Sequence, residues 1–145
     1  MLSNIPEVKV GIVAVSRDCF PKTLSKSRLD NIMTELKDEN IYASESIVEN
    51  ECDVMKVLSE LKSNEVNALV IFLGNFGPES PETLLAEKFD GPVMFAAAAE
   101  ENIGVLATDR GDAYCGMLNA CYNLGLRGIR VYLPPEPVGT AQEVA

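Results

Sequence analysis

Residues 68–80 read ALVIFLGNFGPES and join an unbroken apolar run to a stretch rich in turn residues. Six apolar residues, Ala68 to Leu73, closed by Gly74, are typical of a strand that is buried on both faces of a sheet. Ser80 and Pro81 then indicate a helix start, with Ser80 as the N-cap and Pro81 at the first helical position. The residues in between form either a turn alone or the edge of a binding site.

The same alternation of buried strand and amphipathic helix continues outward from this stretch in both directions. Strands are predicted at 8–15, 41–48, 67–73, 92–97 and 129–133, and helices at 25–39, 51–63, from Ser80 onward, and from Gly111 or Asp112 to the expected C′ residue Gly125. This order favours an α/β three-layer sandwich with a five-stranded parallel sheet, flavodoxin-like or Rossmann-like, in the strand order 2-1-3-4-5.

The chain has 145 residues, which is enough for one domain with a buried core. We expect residues 1–134 to form the α/β domain. Residues 134–145 read PPEPVGTAQEVA, in which prolines end the last predicted strand and a new helical pattern begins near Thr140. We therefore expect residues 135–145 to be the start of a connection to a following domain.

The composition excludes several classes of protein. A net charge of −10 disfavours nucleic acid and anionic membranes as partners, because like charges repel. The chain has no histidine, which removes Ser/His and Cys/His catalytic pairs and the common zinc sites. Its four cysteines form no CxxC pair, so we expect buried, reduced thiols. Neither a signal-like leader nor a membrane-length apolar run occurs, which favours a cytoplasmic protein.

Polar residues follow the carboxyl ends of the predicted strands, where ligands bind in open α/β sheets. The loops concerned are 16–21, 74–80, 98–101 together with 108–112 (Thr108 to Asp112) at the next helix start, and the short loop at Pro134. The side chains expected to converge on one rim are Arg17, Asp18, Asn75, Phe76, Glu79, Glu100, Arg110 and Asp112. Such a set suits a hydroxyl-rich ligand, which binds through bidentate hydrogen bonds and aromatic stacking.

Several of these residues, and the glycines and proline beside them, also have a purely structural interpretation. The alternatives are a surface ion pair of Arg17 with Asp18, an Asx turn at Asn75, a core pocket for Phe76, an N-cap at Asp112, and turn geometry for Gly74, Gly77 and Pro78. No GxGxxG or GxxxxGK[ST] motif supplies a phosphate loop, and no nucleophile–base pair is visible. The chain alone is therefore not expected to be an active enzyme.

Four gap-free segments carry a resemblance to a known family. Residues 10–21 (VGIVAVSRDCFP), 47–51 (IVENE), 73–79 (LGNFGPE) and 111–119 (GDAYCGMLN) resemble the N-terminal domain of the L-fucose/L-arabinose isomerase family, in its bacterial fucose isomerase-like branch. The resemblance implies the substrate-capping and oligomerisation domain of a metal-dependent aldose–ketose isomerase. It also implies that Mn2+ is held by Glu, Asp and His ligands in later domains, so that this chain carries neither catalytic nor metal-binding residues.

The resemblance further implies two substrate contacts, an arginine after strand one, here Arg17, and an aromatic residue after strand three, here Phe76. We add Asn75, Asp112 and Tyr114 as substrate-binding candidates from their positions in loops. The expected partners are a monosaccharide and neighbouring subunits of a homo-oligomer. The main alternative is a non-catalytic sugar-binding or sensor domain of the same fold, and a flavodoxin-like redox protein is a weaker one.

Overall fold

The computed structural model describes residues 4–36, 40–101 and 110–145. In these residues five parallel strands form one sheet in the order β2-β1-β3-β4-β5, which confirms the predicted fold class. The strands are β1 (Val10–Val15), β2 (Ile41–Ala43), β3 (Ala68–Leu73), β4 (Val93–Ala98) and β5 (Val138–Gly139). The helices are α1 (Lys22–Glu35), α2 (Glu51–Ser63), α3 (Glu79–Lys88), α4 (Ala113–Arg127) and α5 (Ala141–Val144). Helices α1 and α5 pack together on one face, and α2, α3 and α4 cover the other.

Strand β3 is the central strand of the sheet. Its apolar run faces a layer of helices on each side. Its register places Ile71 between Val13 of β1 and Phe95 of β4, and all three side chains are completely buried. A strand covered on both faces has no need of polar alternation. The apolar run therefore forms the buried strand that its sequence predicts.

The last strand lies later in the chain than its apolar pattern predicts. Within 129–133 only Tyr132 bridges to β4, through bonds of 2.8 Å to Val93 O and 3.1 Å from Phe95 N. Further along the chain, Pro137 O accepts a bond from Ala97 N at 2.8 Å. A proline cannot donate a ladder bond but can accept one. The prolines thus divide the edge strand, and β5 begins after them.

Several element ends also differ from the prediction. Helix α3 begins at Glu79 with Pro78 as its N-cap residue, so Ser80 is not the cap. Pro81 is tolerated inside the first turn because its missing N–H would have no helical acceptor. Helix α4 ends at Arg127, and Gly128, with a φ of 66°, is its left-handed cap residue, so Gly125 lies inside the helix. Strand β2 ends at Ala43, with a separate bridge at Val48, and α1 occupies 22–35 rather than 25–39, of which 37–39 lie outside the described residues.

Helix α4 presses directly on the loop that follows β3. A β-carbon added at Gly116 would overlap the Phe76 carbonyl oxygen and lie 2.8 Å from the Phe76 Cα. The absence of a side chain at Gly116 therefore lets the loop and the helix meet backbone to backbone. Gly125, in the same helix, has no such neighbour within 4 Å.

This contact predicts opposite results for two identical substitutions. Gly116→Ala should destabilise the chain by about 2 kcal/mol, because the added methyl group forces the loop away from the helix. Gly125→Ala should stabilise it by up to ~1 kcal/mol, since alanine favours helix and the site is open. Urea unfolding of both variants measures the two effects. Equal changes in the free energy of unfolding would show that the contact at Gly116 has no special role.

Candidate functional site

The carboxyl end of the sheet is organised by the buried side chain of Asn75. Its Oδ1 accepts hydrogen bonds from Arg17 N at 3.0 Å and Gly77 N at 3.2 Å, and its Nδ2 donates to Ser16 Oγ at 2.9 Å. The bond to Gly77 is the Asx turn that the sequence offered as one alternative. The amide thus joins the loop after β1 to the loop after β3. A sugar contact by Asn75 stays a prediction, and the second N–H of Nδ2 takes no part in these three bonds.

Arg17 and Phe76 meet above this amide. The guanidinium carbon of Arg17 lies 4.9 Å from the centre of the Phe76 ring, and Nη1 pairs with Glu79 Oε1 at 2.8 Å. The Phe20 ring stacks on Phe76 with centres 6.2 Å apart and planes 9° apart. Asn119 Nδ2 of α4 donates to the same Glu79 oxygen at 2.7 Å. We call these five residues the Arg17 cluster.

The Arg17 cluster combines a positioned cation with open access to solvent. The side chains of Arg17 and Glu79 are 36% and 38% exposed, so a ligand can reach both. Ring stacking and the ion pair hold the guanidinium in one orientation, which lowers the entropy lost when it binds. Arg17 is paired with Glu79 and not with Asp18, the partner considered from the sequence.

A second polar group lies along the rim, centred on Glu100. Its carboxylate accepts bonds from Asp112 N at 2.7 Å and Gly111 N at 3.1 Å, and from Arg28 Nη2 at 3.2 Å. The buried Arg28 also donates to Gly74 O at 2.7 Å. Arg28 therefore connects this group to the loop after β3.

The structure separates the five predicted substrate-binding residues into two sets. Arg17, Asn75 and Phe76 lie together, whereas Asp112 and Tyr114 lie at the start of α4. Asp112 occupies the N-cap position with a φ of 53°, but its carboxylate bonds to Arg110 and caps no backbone N–H. Tyr114 is 60% exposed on the outer side of the helix. Thr108 and Asp109, part of the predicted rim, lie outside the described residues.

Sequence reasoning missed four residues that shape the site: Phe20, Arg28, Glu82 and Asn119. Phe20 and Asn119 lie inside the segments that carry the family resemblance, and this location is a signal by which they could have been found. Arg28 and Glu82 stand among polar residues of amphipathic helices and give no signal of burial. The four cysteines were also misassigned, because Cys19, Cys52 and Cys115 are exposed and Cys121 is half-buried.

Glu82 is a buried carboxyl group directly beneath the loop after β3. The residue is completely buried, and neither carboxyl oxygen has a hydrogen-bond partner among the described residues. A β-carbon at Gly77 would overlap its Oε2, which places the carboxyl group against the loop backbone. Burial, with a smaller effect of Glu79, raises the pKa of Glu82 from 4.5 to about 8, while Arg17 opposes the rise. Glu82 is therefore mainly neutral at pH 7.

A metal site would need several ligands in one place. Within residues 4–36, 40–101 and 110–145, no group of three or more His, Cys, Asp or Glu side chains is arranged to hold an ion. These residues therefore do not fit a manganese cage. None of the helices in those ranges is both long enough and apolar enough to cross a membrane.

A comparison with protein families matches the part of the chain that contains this site. The model for the fucose/sulfoquinovose isomerase N-terminal domain matches residues 11–145, from within β1 to the last residue given. The chain belongs to this family. Both loops of the Arg17 cluster and the whole of α4 lie inside the matched range. A comparison with curated proteins gives no match.

The family match confirms the resemblance stated from the four segments. The Arg17 cluster presents the groups that bind a hydroxyl-rich ligand. A guanidinium donates to vicinal hydroxyl groups in a bidentate manner, a carboxylate accepts from them, and an aromatic ring covers the C–H face. The arrangement can bind and orient a polyol.

The amide of Asn75 gives the first prediction for the site. Asn75→Ala should destabilise the chain by about 3 kcal/mol, because buried groups of Ser16, Arg17 and Gly77 lose their partner. The exposed Asn31 on α1 is the control, and Asn31→Ala should change stability by less than about 0.5 kcal/mol. Thermal and urea unfolding measure both. A small effect at Asn75 would mean that the two loops hold their positions without it.

Glu82 gives a pH dependence whose sign follows from its raised pKa. The folded chain binds a proton that the unfolded chain releases near pH 4.5, so folding stability falls as pH rises from about 4.5 to about 8 and then levels off. The contribution of this group has a slope of up to about 1.4 kcal/mol per pH unit. Glu82→Gln should remove that slope, whereas Glu87→Gln on the exposed side of α3 should keep it. Urea unfolding between pH 5 and 9 distinguishes them, and parallel curves for wild type and Glu82→Gln would contradict the neutral buried acid.

Proposed function

We propose that the chain is the N-terminal, substrate-capping and oligomerisation domain of a metal-dependent aldose–ketose isomerase of the L-fucose/L-arabinose type. The observation that carries this proposal is the Arg17 cluster, which lies at the carboxyl edge of the sheet in a member of an isomerase family. The cluster is open to solvent and its guanidinium is already oriented. Those properties suit a cap that closes over a sugar bound elsewhere.

The chemistry of the cap follows from the groups it presents. Arg17 donates hydrogen bonds to hydroxyl groups of the sugar remote from the reacting carbons, and Glu79 accepts from one of them. Phe76, supported by Phe20, covers the apolar face of the sugar and displaces water. Excluding water strengthens each of these polar contacts and holds the sugar chain in one orientation while the isomerisation proceeds.

The cofactor and the reacting groups are proposed to lie outside this chain. An aldose–ketose isomerisation moves a proton between two neighbouring carbons, and the family resemblance implies Mn2+ for that chemistry. The described residues form no cage for the ion, so no proton-transfer step is assigned to them. We propose that the sugar, the Mn2+ site and the neighbouring subunits meet at the rim that the Arg17 cluster forms, in a cytoplasmic enzyme.

One observation favours a second function, that of a sugar-binding or sensor domain without catalysis. The Arg17 cluster is complete within a single chain and needs no further residue for its internal contacts. Calorimetric titration of the 145-residue chain with L-fucose separates the two functions. The cap predicts no saturable binding by this chain alone, whereas saturable binding would favour the sensor domain.

The cap predicts a kinetic effect of Arg17 in the whole enzyme. Arg17→Ala should raise KM about tenfold or more, because a charge-assisted bond to the sugar is worth roughly 1.5–3 kcal/mol. Stability should change by no more than ~1 kcal/mol, since the ion pair with Glu79 is half-exposed.

The matched control is Lys26→Ala, which removes an exposed ion pair with Asp30 within α1 and touches no residue of the Arg17 cluster. Its steady-state kinetics should equal those of the wild type. Unchanged KM and kcat in Arg17→Ala would remove Arg17 from the site, and equal losses in both variants would point to a general effect of charge.

A further inference from the structure

The outward side of α4 is apolar along its whole length. Tyr114, Leu118, Tyr122 and Leu126 are 57–68% exposed and recur every four residues, which places them along one side of the helix. We call these four residues the α4 face. Single exposed apolar residues are ordinary, but a continuous row of four large ones is typical of an interaction surface.

The α4 face is large enough to account for much of an interface. An aromatic side chain buries roughly 150–250 Å2 when fully covered, so four large side chains exposed by about 60% present on the order of 400–500 Å2. A standard interface buries about 800 Å2 on each partner. The row therefore supplies more than half of the required area before any flanking residue is counted.

We propose that the α4 face binds the same face of a second copy of this chain, with the two α4 helices antiparallel across a twofold axis. The inference extends the oligomerisation part of the proposed function and rests on it. It assigns that role to one surface and one geometry. Its test measures mass, not activity, so the association and the isomerase function can fail independently.

Charge identifies a second copy as the occupant. The chain has a net charge of −10, so two copies repel each other over most of their surfaces. Helix α4 contains 15 residues and only one charged side chain, Arg127 at its end. The outer sides of the other long helices carry charges, such as Lys26 on α1, Lys56 on α2 and Glu87 on α3. Among the outer sides of these four helices, the α4 face is thus the one on which two acidic copies repel each other least.

The spacing along α4 is complementary to itself. In an antiparallel pair centred at the level of residue 120, Tyr114 of one copy lies opposite Leu126 of the other, and Leu118 lies opposite Tyr122. Each aromatic ring therefore meets an aliphatic side chain, as a twofold interface requires of a single surface. Gly125, whose outer side is open, lies opposite the exposed Cys115, so the helices can approach closely there. The antiparallel arrangement also sets the two helix dipoles in opposition.

Pairing through α4 would extend to the candidate site. Helix α4 begins at the rim, and Asn119 within it donates to Glu79 of the Arg17 cluster. In the antiparallel pair, the C-terminal end of the second copy's helix, with Leu126 and Arg127, lies beside the start of the first helix.

Sedimentation velocity of the 145-residue chain tests the association directly. The wild type should show a dimer of twice 15.7 kDa at micromolar concentration. Tyr122→Glu should raise the dimer dissociation constant by about 30-fold or more, because it places a charge in a contact at the centre of the interface. Met55→Glu, a change of an equally exposed residue on α2, should leave it unchanged.

A charge-pair experiment tests the antiparallel geometry. Leu118→Lys and Tyr122→Glu should each weaken self-association, but mixing the two variants should restore a dimer that contains one copy of each. In the antiparallel pair, position 118 of each copy lies opposite position 122 of the other. The mixed dimer therefore has one contact between the two introduced charges and one contact between the unchanged Tyr122 and Leu118. Native mass spectrometry resolves the mixed dimer from the two homodimers.

Three results would overturn the proposal. If the wild-type chain is monomeric at every protein concentration that can be measured, the α4 face binds another part of the polypeptide or a different protein. A loss of association in Met55→Glu equal to that in Tyr122→Glu would place the interface elsewhere. Failure of the mixed dimer to form, with both variants folded by circular dichroism, would exclude the antiparallel geometry.

Discussion

The buried amide of Asn75 joins two loops that are 58 residues apart in the chain, and the positions of the rim side chains depend on it. An asparagine side chain offers two donors and one acceptor group with two lone pairs, and here both ends are used inside the protein. The acceptor takes two backbone N–H groups and the donor binds a hydroxyl group. Because the amide is sheltered from water, replacing it leaves three buried groups without partners. Arg17 and Phe76 are carried by the two loops that this amide joins.

The sheet was predictable because its central strand can be recognised from its own short stretch of sequence. An apolar run such as Ala68 to Leu73 is typical of a strand buried on both faces of a parallel sheet. The alternation of strands and helices along the chain then predicts the layers of the fold. The edge was not predictable in the same way, since β5 depends on Pro137 accepting a bond from β4 after the chain has left the sheet. The site was partly predictable for the same reason. Loop position brought Arg17, Asn75 and Phe76 together, whereas the bonds of Asn75 and the burial of Glu82 arise from contacts across the fold that no local pattern encodes.

The packing of the loop after β3 buries the carboxyl group of Glu82, which is energetically unfavourable. The loop backbone covers the carboxyl group, and Gly77 is the residue that allows such a close approach, with a φ of 77° that also favours glycine. A buried carboxylate without a partner is unstable, so the group keeps its proton and its raised pKa records the burial. Above it, Arg17 is bound to Glu79 and not to Glu82. The guanidinium stays on the solvent side, where a ligand can reach it.

Helix α4 connects the features that the family membership alone does not explain. Its inner side contacts the Phe76 backbone at Gly116 and binds Glu79 through Asn119. Its outer side carries the apolar row from Tyr114 to Leu126. A partner bound to the outer side would therefore contact the same helix that carries Gly116 and Asn119. If two copies meet along α4, their association fixes the helix against which the loop after β3 is packed. In that arrangement the oligomer would not merely place caps side by side, because it would also set the orientation of Phe76 and Glu79 in each of them.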